Sequence, residues 1–502
     1  MRLFFPSALL LASSLAFAGG QSPPQRVGSV PLVPALNATV LKEIDRIVAG
    51  ALASTRDPGV SIAIAKEGKI VFAKAYGNAR LDPAVPATPS MRYKIGSISK
   101  QFVAASMLLL EQDGKLNLND KVAKYFPELS GAGAISLRQL LNHTAGYPDF
   151  YPLDIVTIEM SQPITADTLM TRYGKQALDF TPGRRWAYSN TNYVIAGRVI
   201  EQVSGMPLGQ FITERIAKRL GMSSLVDTAA VPWSDADALG YTRYGLATPR
   251  VAPSEGRGWT FAAGQLAMTA SDLARWDLAL LNNALLTPAS RAALTASVST
   301  AEGGDAHYAL GLGVETTPEG RLRWSHGGGV GGYMTRNVVY PEQGIAIVVL
   351  TNTSGFRLSG VLEAALEALL LPPGPVASAS APTAPAAPAA LPATPARDVE
   401  AGRAKARARA AFAQLQQGKP DRSRMTADLS AFLNARAVND HASSLAPLGP
   451  LVSIEQLFSE PKGRFTSRVY RIQTKGTELM LFSYFAHDGK LAQFTLYEKP
   501  RQ

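Results

Sequence analysis

The sequence predicts an α+β fold followed by a second, smaller α+β module, and three observations carry that prediction. Strand-like runs stand at both ends of residues 37–371, with helical periodicity between them. Residues 372–397 then fill with proline and alanine, and no charged residue occurs between Glu367 and Arg397. Beyond that break, residues 398–502 begin a new pattern of one basic, alanine-rich helix and three extended runs.

The chain has 502 residues, of which 46% are apolar and 18% charged. That is material for two or three domains and a sizeable core. The absence of cysteine excludes disulfides, thiolate nucleophiles, cysteine-held zinc and iron–sulfur clusters. Residues 1–18 read as an export signal. Arg2 supplies the charge, Leu3 to Ala16 the apolar run, and Ala16-Phe17-Ala18 the cleavage site. The run is shorter than the ~20 residues a membrane span needs. With 19–36 as a linker, the expected mature protein is periplasmic or secreted and has no transmembrane segment.

In chain order, Asn37 offers the cap for a helix ended near Gly50. Gly59 to Lys66 alternates as a strand, and Glu67-Gly68 turns it into an antiparallel partner at Ile70 to Tyr76. A helix entered at Ser97 is buried through Phe102, Val103, Met107 and Leu110, and ends at Gly114. Further helices fit Tyr193 to Val203, Phe211 to Leu220, and the Leu273 to Trp276 region capped by Ser271 or Asp272. Three late strands follow at Leu322 to Ser325, Met334 to Tyr340 and Ile345 to Leu350, and a helix at Val361 to Leu371 closes the domain. The proline-rich linker reads as a semi-rigid tether. The module after it offers a helix at Ala401 to Leu415 and strands at Arg464 to Gln473, Glu478 to His487 and Leu491 to Glu498. Residues 401–502 hold 16 Lys+Arg against 8 Asp+Glu, most of the net +11. The cell envelope is a candidate anionic partner for this region, and no nucleic-acid motif accompanies the charge.

The chemistry begins at Ser97-Ile98-Ser99-Lys100. One helical turn brings a hydroxyl beside an amine, which suits a serine nucleophile with a lysine base. The motif is common, and Ser459-Glu460-Pro461-Lys462 is a second match. Two later segments add what Ser97 would need. In Tyr188-Ser189-Asn190, a phenol near an ammonium would have a lowered pKa and could carry the serine's proton. In His326-Gly327-Gly328-Gly329, a strand ends in glycines that let a substrate approach the backbone. Gly327, Gly329 and Gly332 formally match a dinucleotide fingerprint, but strand-like residues follow where a helix is required. No G-x-S-x-G elbow, H-E-x-x-H spacing or P-loop occurs, and no cofactor or metal is expected.

Together these segments resemble the serine β-lactamase and penicillin-binding-protein superfamily, closest to its branch of class C β-lactamases, D-aminopeptidases and esterases. The likeness spans roughly Leu41 to Leu371. Supporting stretches are Leu140 to Gly146, Pro182-Gly183 and Ala262 to Leu266. The resemblance implies a β-lactamase/transpeptidase-like fold, an antiparallel sheet flanked by helices with a helical subdomain. It implies an acyl-enzyme on Ser97 with Lys100 and Tyr188 as catalytic partners. Asn190, His326, Gly328 and Gly329 would then bind the substrate, and the Ser97 and Gly329 amides would hold the oxyanion.

One departure narrows the substrate. β-Lactamases and cell-wall peptidases generally carry Lys-Thr-Gly where this chain has His326-Gly327-Gly328. A histidine is only partly charged near neutrality, so carboxylate recognition is weakened and activity is expected to change through pH 6–7. The expected function is hydrolysis of a small ester, peptide or amide. The alternatives are a D-alanyl-D-alanine carboxypeptidase, a D-aminopeptidase, a weak β-lactamase, or a penicillin-binding or sensor protein without turnover.

Overall fold

The computed structural model describes residues 36–355, 357–371 and 395–498. The export signal, nearly all of the 19–36 linker and most of the 372–397 linker lie outside them. The first helix is Ala38–Thr55, and the Asn37 side chain accepts from the Val40 amide at 2.9 Å. It runs past the expected stop at Gly50. A helical glycine costs about 1 kcal/mol, and the burial of Ala51 and Thr55 beyond it offsets that. Arg56, in the left-handed region, ends the helix just before Pro58.

Seven antiparallel strands make the main sheet. Their spatial order is Ala84–Pro86, Lys69–Leu81, Gly59–Lys66, Ile345–Thr351, Tyr333–Tyr340, Leu322–Val330 and Gly313–Thr316. An early and a late strand therefore meet at the centre, with Ile62 opposite Val349. The period-2 alternation of a strand divides the core. Ile62, Ile64, Ile347 and Val349 face the helices Ala38–Thr55 and Arg357–Leu370. Ala63, Ala65, Val348 and Leu350 join the larger core on the other face, with Phe102, Tyr193 and Trp276. Those three belong to the helices Ser99–Gln112, Asn190–Ser204 and Ala270–Asn282. The last of these is capped by Thr269, which accepts from the Asp272 amide, and not by Ser271 or Asp272.

The carboxy-terminal module is a four-stranded antiparallel sheet of Leu451–Lys462, Phe465–Thr474, Glu478–Ala486 and Leu491–Glu498. Its first strand escaped the sequence reading because it is a largely exposed edge, interrupted by bulges and carrying Pro461. The helix Pro395–Gln416 lays Ala404, Ala408, Phe412 and Leu415 into the module's core, a stripe at helical spacing. Tyr244 and Leu246 of the first domain are part of the same core, and Arg250 pairs with Asp440. The two bodies are packed together.

Candidate active site

Gly96 makes the turn before Ser97. It adopts φ +52°, and a Cβ there would lie 2.8 Å from the Gly329 amide nitrogen, so glycine lets the two backbones meet. Gly96–Ile98 form a 3₁₀ turn and the helix begins at Ser99. Ser97 thus stands just ahead of the helix expected to contain it, with Lys100 one turn on.

Lys100 is fully buried. Its Nζ lies 3.0 Å from Ser97 Oγ and donates to Asn190 Oδ1 at 2.8 Å and to the Ala263 carbonyl at 2.7 Å. Burial lowers its pKa to about 7, against the opposing pull of Asp149. A large share of the amine is therefore neutral near pH 7. Burial pushes the Tyr188 phenol up, outweighing the opposing pull of the neighbouring Ser97 hydroxyl, with Asp149 adding to the rise. The lowered phenol expected from the sequence is thus overturned, and Tyr188 is protonated at neutral pH. Its ring stacks 4.3 Å from that of His143. His143 Nδ1 accepts from the Ser189 amide at 3.2 Å, which leaves the ring proton on Nε2.

His326 Nε2 lies 2.9 Å from the Tyr308 hydroxyl, and Nδ1 donates to the Gly327 carbonyl. Burial, reinforced by the charge of Lys100, lowers its pKa to about 3. The expected titration at pH 6–7 is therefore not a property of His326 in this fold. Gly328 differs from expectation as well. A Cβ there would sit 1.8 Å from the Ile95 carbonyl oxygen, and the residue is buried away from the cavity. Its role is to let the Leu322–Val330 strand press against the Ser97 turn. Gly329 is exposed and lines the cavity with Ser97.

That cavity holds about 720 Å³, within the range of small-molecule sites. One side carries Ser97, Tyr188, Asn190, His326 and Gly329; the other is the sheet of the carboxy-terminal module, including Lys462, Tyr484 and Gln493. The loop around Tyr147-Pro148-Asp149 was expected from the sequence to shape the substrate site, and Asp149 does line the cavity, but its bond to Asn190 was not foreseen. Tyr308 and Lys462 as neighbours of the site had no signal in the sequence.

The family described as Beta-lactamase matches residues 44–372. The chain belongs to the beta-lactamase family. Protein flp of Staphylococcus aureus (strain N315) is 31% identical to this family member over 333 residues, 64% of this chain and 65% of that protein. The chain spans about half to two thirds of the length of the curated relatives it matches. Among solved structures, the octameric penicillin-binding protein homologue from Pyrococcus abyssi aligns with TM-score 0.59 and 21% identity. That alignment covers 92% of this chain and 96% of the other, so the shared fold extends into the module. A D-stereospecific amidohydrolase from Streptomyces sp. aligns with TM-score 0.57 and 26% identity, over 66% of this chain and 98% of that one. Among the described residues, no helix is long and apolar enough to cross a membrane.

Proposed function

We propose that this chain is an exported serine hydrolase that cleaves a small carboxylic ester or amide through an acyl-enzyme on Ser97. The hydrogen-bond set of Lys100 carries the reading. A neutral amine has two N–H donors and one lone pair. Asn190 Oδ1 and the Ala263 carbonyl accept from the two donors, so the lone pair faces Ser97 Oγ. Lys100 then takes the hydroxyl proton as the oxygen attacks the substrate carbonyl carbon. The Ser97 and Gly329 amides hold the oxyanion, and a hole of this type is often worth 10²–10³ in rate, roughly 3–4 kcal/mol. Tyr188, protonated and beside Ser97, relays the proton from Lys100 to the departing alcohol or amine. Water next attacks the acyl carbon, and its proton returns through the same pair to Ser97 Oγ, releasing the acid.

The neutral imidazole of His326 supports substrates without a carboxylate at that end over β-lactams. The likeness to a D-stereospecific amidohydrolase supports an amide, with D-aminopeptidase or carboxypeptidase action as the second reading. Export rests on the pattern at residues 1–18. The test is parallel assay of the mature protein and Ser97→Ala with a p-nitrophenyl ester, a D-alanyl anilide and a chromogenic cephalosporin. Turnover of the ester or anilide is expected to exceed that of the cephalosporin and to fall at least ~10³-fold in the variant. Undiminished turnover in Ser97→Ala would remove the serine mechanism. Cephalosporin as the best substrate would remove the neutral-histidine argument, and stable labelling by penicillin without turnover would leave a binding protein.

A further inference from the structure

Asn190 has to present its carbonyl, and not its NH₂, to Lys100. An amide can be rotated half a turn with little change in shape, so some neighbour has to fix its direction. Asp149 occupies that position. Its Oδ1 accepts from the Asn190 backbone amide at 2.9 Å, from Asn190 Nδ2 at 3.0 Å and from the Tyr151 amide at 3.1 Å. An ionised carboxylate only accepts, so the NH₂ turns toward Asp149 and Oδ1 toward Lys100. With the amide reversed, an N–H would point at the lysine nitrogen and compete with Ser97 for its lone pair.

The loop that carries Asp149 is pinned to the carboxy-terminal module five residues later. The Asp154 amide donates to Gln493 Oε1 at 2.8 Å. Asp154 Oδ2 accepts from Gln493 Nε2 at 2.9 Å and from the Tyr484 hydroxyl at 3.1 Å. Leu153 and Ile155 pack with Phe465, Tyr484 and Ala492. Lys462 Nζ donates to the same Tyr484 oxygen at 2.6 Å, and it forms no ion pair within 4.0 Å among the described residues.

We propose that Asp149 is a positioning residue for the reaction, fixing the Asn190 amide so that the Lys100 lone pair meets Ser97, and that Lys462 and the module hold Asp149 in that state. This rests on the reading of Ser97 and Lys100 as nucleophile and base. Burial raises the Asp149 carboxyl on balance, and its hydrogen bonds and the Lys462 charge oppose that rise. Burial lowers Lys462, and the charges of Asp154, Tyr484 and Asp149 more than restore it. Around Lys100 the other titratable groups are His143, His326, Tyr188 and Tyr193. Around Asp149 they are Tyr151, Tyr173, Asp179 and Lys462. Of these, Lys462 is the cation that the module contributes.

Two full-length variants make graded demands on the pH profile. Asp149→Asn removes the anion that raises Lys100, so the acid limb of kcat/KM moves below about pH 7. Its plateau falls roughly 10–100-fold, the effect of one lost bond to a charged group, mainly in kcat. Lys462→Met removes a cation that lowers Asp149, so Asp149 holds its charge less well and the limb moves the same way by a smaller amount, with a smaller fall at the plateau. Ester turnover by both variants, wild type and Ser97→Ala is followed from pH 5 to 9, with thermal melting to verify folding. A limb that stays in place in Asp149→Asn, or that moves to higher pH in either variant, overturns the proposal. If Asp149→Asn fails to fold, Lys462→Met decides alone, because an unmoved limb there overturns it. Undiminished turnover in Ser97→Ala is a different failure, that of the serine reading.

Discussion

Two lysines come from the same four-residue motif, one lining the cavity as Lys462 and the other buried behind Ser97 as Lys100, and they differ in everything but spacing. Ser97 and Lys100 stand on a 3₁₀ turn leading into a helix, so their side chains share a face and approach to 3.0 Å. Ser459 and Lys462 lie on a strand, paired opposite Arg468 and Phe465 respectively. Residues three apart on a strand point to opposite faces, so that serine and lysine do not meet. Lys100, enclosed by carbonyls, drops to about 7. Lys462, with Asp154, Tyr484 and Asp149 nearby, overcomes its burial and stays a cation. The backbone period decides whether S-x-x-K is a reacting pair or two unrelated side chains, and the neighbours decide whether the lysine is a base or a charge.

The sharpest way to break this comparison is to truncate each lysine. Lys100→Met should lower ester turnover by about 10²–10⁴-fold, the usual worth of a general base, whereas Lys462→Met should stay within about tenfold of wild type. Equal losses would erase the distinction. Next in size is the pH profile. In the proposed mechanism Lys100 acts as a neutral amine, so kcat/KM should rise from acid through about pH 7 and then level. His326→Gln should keep that limb, because His326 titrates near 3. Disappearance of the limb in that variant would move the base from Lys100 to His326. The smallest effects concern the glycines beside each lysine's segment. Gly328→Ala forces a methyl onto the Ile95 carbonyl and should cost ~3 kcal/mol of unfolding free energy. Gly463→Ala, at φ +56° with open space around it, should cost only the left-handed strain of roughly 1–2 kcal/mol. Denaturant melts of the two variants give the order directly.

What could be read in advance follows the range of the interactions. The Asn37 cap, the Ser97–Lys100 spacing and the buried run at Ile345 are local patterns, and each was legible. Neither Lys462 nor Asp149 could be placed from periodicity, because they line one cavity from a loop and a hairpin more than three hundred residues apart in sequence. The two expectations about charge failed for a common reason. A lowered Tyr188 and a titrating His326 both presuppose solvent or a permanent ammonium nearby. Folding supplies a partly buried pocket in which Lys100 is lowered to about 7, and desolvation then dominates both groups. The Leu451–Lys462 strand escaped because an exposed edge needs no apolar alternation.

Tyr244 and Leu246 complete the core of a module that begins some hundred and fifty residues later. The peptide link between the two bodies is then not what holds them together. A chain severed between Leu371 and Pro395 should still migrate as one particle, melt in one transition, and keep its hydrolytic site closed on both sides.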